Sequence, residues 1–219
     1  ATARILAARG ASVSLIARDA ARLDRAAASV GPGAAVVSAD VTDEPAVARA
    51  VQDLVEQQGP CDLLITAAGA SHPGYFEQLE LDTFRDQMDL DYFGTLHAIR
   101  AVLPSMLERG SGGIVGVSSA AGLVGVFGFG AYAPTKYAVR GLCDVLRAEY
   151  GHRGIYIGCV FPPDTLTPGF EAENLINIYA ALADQDRDAV IAQFAGQQFS
   201  GFKTALADLI LDRVVALLG

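Results

Sequence analysis

Short apolar runs rich in β-branched residues alternate along the chain with longer segments in which apolar residues recur every third or fourth position. The short runs are 12–17 (SVSLIA), 34–39 (AAVVSA), 61–68 (CDLLITAA), 113–119 (GIVGVSS) and 155–161 (IYIGCVF). A strand wet on one face alternates polar with apolar, whereas a strand covered on both faces is nearly continuous in apolar character, as these runs are. The spacing of the segments between them predicts helices at about 19–30, 43–58, 82–109 and 132–151. Strand–helix alternation of this kind makes an α/β fold, a doubly wound parallel sheet flanked by helices. Neither an internal repeat nor a low-complexity linker divides the chain, so 1–219 reads as a single domain.

The two ends break the rhythm. The opening ATARILAARG is helical in pattern and stops at Gly10, but it has no N-cap and follows no strand. A doubly wound fold normally opens with a strand and a glycine-rich turn, so the expectation is that these, roughly 15–20 residues, are missing upstream. At the far end, 205–219 (ALADLILDRVVALLG) reads as an amphipathic packing helix with no strand after it.

Composition narrows the classes. Hydrophobic residues make up 52% of the chain and charged residues 19%, which excludes general disorder. The net charge of −9 argues against a nucleic-acid surface, which needs a basic face, while leaving room for a local basic pocket. Cys61, Cys143 and Cys159 lie far apart, as do His72, His97 and His152. The cysteines read as reduced buried thiols of a cytoplasmic-type compartment, and neither set has the spacing of a zinc site. The stretch 110–135 carries no charge and is long enough to raise a membrane span. Its many glycines weaken a helix, however, and suit a buried strand followed by a turn.

That charge-free stretch leads into Tyr132 and Lys136, one helical turn apart on one face. The plain reading is a helix start whose tyrosine packs and whose lysine meets solvent, with Pro134 tolerated in the first turn. The chemical reading is a proton donor beside a cation. A phenol ordinarily titrates near ~10, and an adjacent ammonium would bring it down towards neutrality. Ser119 lies thirteen residues before Tyr132, at the carboxyl end of a predicted strand, where ligands bind in such sheets. Its hydroxyl is suited to hold a carbonyl oxygen as negative charge develops there. The alternative is a serine that caps the following turn, a description that fits Ser118 well.

These motifs, VSSAAG then YAPTK, with ADV at 39–41 and AAG at 67–69, resemble the short-chain dehydrogenase/reductase family in order and spacing from about residue 1 to 170. The resemblance implies a Rossmann-like dinucleotide-binding reductase domain in which Ser119 orients the substrate carbonyl and Tyr132 passes the proton. It implies that Lys136 binds the nicotinamide ribose and acidifies Tyr132. The family's helix asparagine, which supports a relay water, is replaced here by Asp91, a charged group that accepts hydrogen bonds but cannot donate when ionised.

The resemblance also assigns the cofactor. Asp40 and Val41 fall where the family holds the adenine ring, and Ala68 and Gly69 end the turn that lets the backbone approach the cofactor. Pro162 and Thr167 fall where the family contacts the carboxamide, with Pro163 in place of a glycine. At the end of the 12–17 run stands Arg18, which suits a 2′-phosphate and favours NADP(H) over NAD(H). The alternative is an Arg18 that faces water while Asp19 caps the next helix.

FGFGAY and PPDTLTPGFEAEN further resemble the 3-ketodihydrosphingosine reductase branch, which implies an NADPH-dependent reduction of the 3-keto group of 3-ketosphinganine. Other short-chain reductases, acting on 3-ketoacyl groups, steroids or simple ketones, and a cofactor-binding scaffold with weak catalysis are the alternatives. A substrate lid is expected at about 163–203. Its Leu175, Ile176, Ile178 and Tyr179 either line a channel for a long-chain ketone or form the inward stripe of an amphipathic helix. The remaining expectations are a homodimer or homotetramer and a cytoplasmic protein, with peripheral membrane contact left open.

Overall fold

The computed structural model describes residues 2–162, 179–180, 183, 185–194 and 205. Helix α1 (Thr2–Ala8) leads through Gly10, at φ 87°, to β1 (Ser14–Ala17), α2 (Ala20–Val30) and β2 (Ala35–Ser38). Then follow α3 (Glu44–Gln58), β3 (Leu63–Thr66), α4 (Leu81–Met88), α5 (Gly94–Arg109) and β4 (Gly112–Val117). The succession closes with α6 (Ala133–Tyr150), β5 (Ile155–Val160) and α7 (Arg187–Phe194). Every predicted strand is present, each ending within two residues of the expected bounds.

All the strand pairs are parallel. β1 pairs with β2, Ser14 opposite Ala35, and β4 lies between β3 and β5, with Leu63 opposite Gly113 and Gly112 opposite Ile155. Among the described residues no ladder joins β1 to β3. The two ladders are tied through helices instead: α3 packs on β1 and β2, α5 on β3 and β4, and α3 and α5 pack on each other.

The helix boundaries follow local chemistry. Asp19 caps α2 by accepting from the Arg22 amide at 2.9 Å, and Asp43 caps α3 by accepting from the Ala46 amide at 3.0 Å. α5 stops at Gly110, whose left-handed backbone (φ 64°) lets its amide turn back to Leu107 and Met106. The segment read as one helix over 82–109 is interrupted: Asp89–Phe93 forms a π turn between α4 and α5. This wider turn carries Asp91 into the interior.

The main core lies where α5, α6, β4 and β5 meet. Ile99, Val102 and Met106 from α5 close on Ile114, Ile155 and Ile157, and Val139, Cys143 and Leu146 come from α6. Gly116 is dictated by this packing, since a Cβ there would stand 2.6 Å from Cys143 Sγ. α6 is thereby fixed against the carboxyl end of β4, and its first turn becomes part of a site. No helix among the described residues is long and apolar enough to cross a membrane. The expected C-terminal packing helix and most of the lid, including Leu175, Ile176 and Ile178, lie outside the described residues.

Candidate active site

Beyond β4 the chain delivers two serines to different neighbours, because successive residues of an extended chain point to opposite sides. Ser118 turns inward: its hydroxyl donates to the Lys136 carbonyl at 2.8 Å and is buried. Ser119 turns the other way. Its Oγ accepts from the Ala121 amide at 3.2 Å, opening the tight turn Ala120–Gly122, and its hydroxyl faces the Tyr132 phenol and favours its ionised form. The capping role that the sequence suggested for Ser118 therefore falls to Ser119, while Ser118 moors the catalytic-helix candidate to the strand. Gly122 is needed at this junction, since a Cβ would collide with Ser118 Oγ and lie 2.8 Å from the Lys136 carbonyl oxygen.

Tyr132 stands immediately before α6 and Lys136 in its first turn, on one face as the spacing predicts. The ammonium lies 5.3 Å from the Tyr132 ring centroid. From the π turn, Asp91 Oδ1 approaches Lys136 Nζ to 3.8 Å. Asp91 is 0% exposed and Lys136 5%, so both charges are withdrawn from water. Two donors complete the carboxylate: the Ala70 amide gives to Oδ1 at 2.9 Å, and the Thr135 hydroxyl gives to Oδ2 at 3.0 Å. Gly69 makes this approach feasible. A Cβ on it would stand 2.6 Å from Asp91 Oδ1 and 3.2 Å from Lys136 Nζ.

Burial dominates the ionisation of this cluster. It pushes the Asp91 carboxyl up, against the lowering pull of Lys136, the Ala70 amide and Thr135. It pushes the Lys136 ammonium down, against the support of Asp91 and Cys159. Tyr132 was expected to be acidified by Lys136, and here the structure corrects the sequence reading. Burial raises the phenol above its ordinary value, the Ser119 hydrogen bond offsets part of this, and the Asp91 charge adds to the rise. Burial leads in this shift, and the lysine whose positive field was to act on the phenol is itself partnered by Asp91.

The cofactor-facing candidates lie at the carboxyl ends of β1, β2 and β3. Arg18 Nη1 stands 3.5 Å from Asp40 Oδ2, with 64% of the arginine side chain and 38% of the aspartate side chain exposed, and Asp19 caps α2, as the second reading of this corner has it. Asp40 Oδ1 accepts from the Thr42 amide at 2.9 Å and its hydroxyl at 2.8 Å, and the amide bond leads in holding the carboxyl below its ordinary value. The Val41 carbonyl lies 2.9 Å from His97 Nδ1. Ala68 and Gly69 are exposed after β3. Beside them in sequence, two buried hydroxyls, Thr66 Oγ1 and Ser71 Oγ, have no hydrogen-bond partner among the described residues. The Pro162 carbonyl accepts from the Ala120 amide at 3.0 Å, bringing the end of β5 to the serine turn. Thr167 and Pro163 lie outside the described residues.

Two features went unread in the sequence. One is Thr135, 0% exposed and bonded to Asp91; the hint was a hydroxyl directly before the lysine. The other is an apolar surround. The Gly74 amide donates to the Gly128 carbonyl at 2.8 Å, joining two loops, and Tyr75 meets Phe127 edge-on at 5.5 Å between ring centroids. The Phe129 ring lies 5.8 Å from that of Tyr132, and Leu123, Val124 and Phe127 are exposed nearby in sequence. In the lid region Tyr179 meets Phe194 edge-on at 5.1 Å, and Val190 is buried with Ala180. That is the packing expected of an inward helical stripe.

Residues 1–175 match the sequence profile of the family described as short chain dehydrogenase. The chain is 40% identical over 173 residues to the 3-dehydrosphinganine reductase of Danio rerio, covering 75% of this chain and 52% of that protein. It is 44% identical over 144 residues to the 3-ketodihydrosphingosine reductase of Dictyostelium discoideum, covering 64% and 43%. The chain thus spans about half the length of these curated relatives. Among solved structures, levodione reductase superposes with a TM-score of 0.75 at 28% identity, covering 88% of this chain and 75% of that one.

Proposed function

The chain belongs to the short-chain dehydrogenase family, and from that premise we propose that it is an NADPH-dependent ketoreductase reducing the 3-keto group of 3-ketosphinganine. The observation that carries the proposal is the convergence of Ser119, Tyr132 and Lys136 at the carboxyl end of β4. The names of the relatives support the sphingoid substrate, and the Phe129 ring beside Tyr132, with the exposed Leu123, Val124 and Phe127 of the preceding loop, suits a hydrocarbon tail.

The residues present fit a nicotinamide cofactor. The exposed backbone of Ala68 and Gly69 ends β3, and among the described residues the hydroxyls of Thr66 and Ser71, beside it in sequence, are buried without a hydrogen-bond partner. Asp40, Val41 and the 68–69 backbone would hold the adenosine side, Arg18 the 2′-phosphate, and Lys136, Pro162 and Thr167 the nicotinamide side. The bound cofactor supplies the hydride that the carbonyl carbon receives. The protein's own groups act on the oxygen. Ser119 donates a hydrogen bond to it, Tyr132 gives it a proton as charge develops, and Lys136 provides a positive field. A homodimer or homotetramer in a cytoplasmic, membrane-peripheral position belongs to the same proposal.

The test is NADPH oxidation by the full-length protein with 3-ketosphinganine, beside a Tyr132→Phe control. Turnover that depends on the substrate and disappears in the variant supports the proposal. The pairing of Asp91 with Lys136 favours one other reading, a cofactor-binding scaffold with weak catalysis. NADPH binding without turnover on any ketone would establish that reading instead.

A further inference from the structure

A threonine in the first turn of a helix ordinarily faces solvent or bonds back to its own turn. Thr135 does more than that. It is fully buried, and its single hydroxyl proton is shared between the Tyr132 carbonyl at 2.8 Å and Asp91 Oδ2, on another element, at 3.0 Å. The Asp91 carboxylate is held on its other oxygen by the Ala70 amide and faced by Lys136. We propose that Thr135 is a positioning residue, whose hydroxyl fixes the Asp91 carboxylate against the Lys136 ammonium and so keeps the lysine charge beside Tyr132. The inference rests on the ketoreductase reading for its kinetic consequence, though not for its structural one.

The chemistry follows from the donor count. A carboxylate that loses one of its hydrogen bonds in a dry site is protonated more readily. Once neutral, Asp91 no longer supports the charge on Lys136 and no longer opposes ionisation of Tyr132. Both groups then lose their protons at lower pH, so the two effects add. The titratable groups facing this cluster are Tyr132 and Lys136 from α6 and Cys159 from β5, beside the ammonium. The segment after β3 brings the Ala70 amide, and the tight fit at Gly69 limits where the carboxylate can move.

Valine and serine separate this role from packing. Thr135→Val keeps the shape and deletes the hydroxyl, whereas Thr135→Ser keeps the hydroxyl and deletes the methyl group. Two readouts are needed on the full-length protein: the pH profile of ketone reduction, and the titration of the Asp91 carboxyl carbon by NMR, assigned with Asp91→Asn. In Thr135→Val the alkaline limb of kcat is expected to move to lower pH and kcat to fall about tenfold, with the Asp91 resonance titrating at higher pH. Thr135→Ser is expected to stay within about twofold of wild type, and Thr135→Val in an Asp91→Asn background to move the limb no further. If the valine variant does not fold, Thr135→Ala answers the same question. An unmoved Asp91 titration in the variant lacking the hydroxyl, or a serine variant more impaired than the valine one, overturns the proposal. Should wild type show no turnover, the ketoreductase reading falls, and the Asp91 titration still decides the role of Thr135.

Discussion

Asp91 and Lys136 meet at 3.8 Å with 0% and 6% of their side chains exposed, a paired charge buried at the mouth of α6. Such a pair gains Coulomb energy that does little more than repay its desolvation. It therefore leaves a signature in the pH dependence of stability. The folded-state pKa of Asp91 is raised above 3.8, the value of the unfolded chain. Within the window that starts there, the folded protein binds more protons than the unfolded one, so stability falls as pH rises. Urea denaturation of wild type and Asp91→Asn, compared from about pH 4.5 to about pH 8, is expected to show wild type losing stability relative to the variant. A flat or rising difference would mean that the carboxyl is not destabilised by burial.

Gly69 offers a steric test of the same cluster. Its backbone is not in the left-handed region, so alanine there meets only the clash with Asp91 Oδ1 at 2.6 Å and Lys136 Nζ at 3.2 Å. The carboxylate cannot retreat without giving up the Ala70 amide or the Thr135 hydroxyl. Gly69→Ala is therefore expected to cost about 1–3 kcal/mol in urea denaturation, as overpacking does, and to weaken NADPH binding measured by fluorescence titration. Unchanged stability together with unchanged NADPH affinity would remove this glycine from the site.

The neighbouring serines are expected to divide stability from chemistry. Ser118→Ala removes a buried hydrogen bond to the Lys136 carbonyl and should cost about 1 kcal/mol in denaturation midpoint, with a modest loss of kcat. Ser119→Ala removes a half-buried hydroxyl that serves a short turn and the Tyr132 phenol. It should lower kcat by about 100-fold, as loss of a donor to the developing oxyanion does, with little change in stability. If the two variants traded these effects, the inward and outward assignments would be reversed.

Ser119 was legible from its spacing to Tyr132, but which of Ser118 and Ser119 caps the following turn was not. That choice depends on where Lys136 offers its carbonyl, and so on the packing of α6 against β4. The strands were legible for a simpler reason. An uninterrupted apolar run marked each of them, even β5, where Tyr156 is 68% and Val160 43% exposed, and β5 was bounded to within one residue and β4 to within two. The interruption at Asp89–Phe93 was not visible, because DLDYF keeps a helical pattern and the wider turn exists to bring Asp91 to Ala70 and Thr135. Tyr132 and Lys136 were found from their spacing, yet the direction of the phenol's shift was misread. Spacing reports the lysine four residues away and is blind to the burial of the phenol and to an aspartate contributed by another element.

Arg18 is the residue on which the proposed cofactor choice turns, and its exposure makes the test clean. With 64% of its side chain in water and a solvated partner in Asp40 at 3.5 Å, it contributes little to folding. Arg18→Ala should leave the denaturation midpoint within about 0.5 kcal/mol of wild type. If it holds the 2′-phosphate, its loss removes a charge-assisted hydrogen bond worth about 1.5–3 kcal/mol, raising the KM for NADPH roughly tenfold or more. The KM for NADH should stay put or fall, because Asp40 no longer shares its carboxylate with the arginine and remains free to accept from a ribose hydroxyl. The charge on Asp40 is secured by the Thr42 amide, not by Arg18 alone, so it persists in the variant and disfavours a phosphate there. Steady-state kinetics with both cofactors at low and high salt checks this. A selective rise for NADPH that shrinks as salt increases assigns Arg18 to the phosphate, and an equal shift for both cofactors returns it to the solvent.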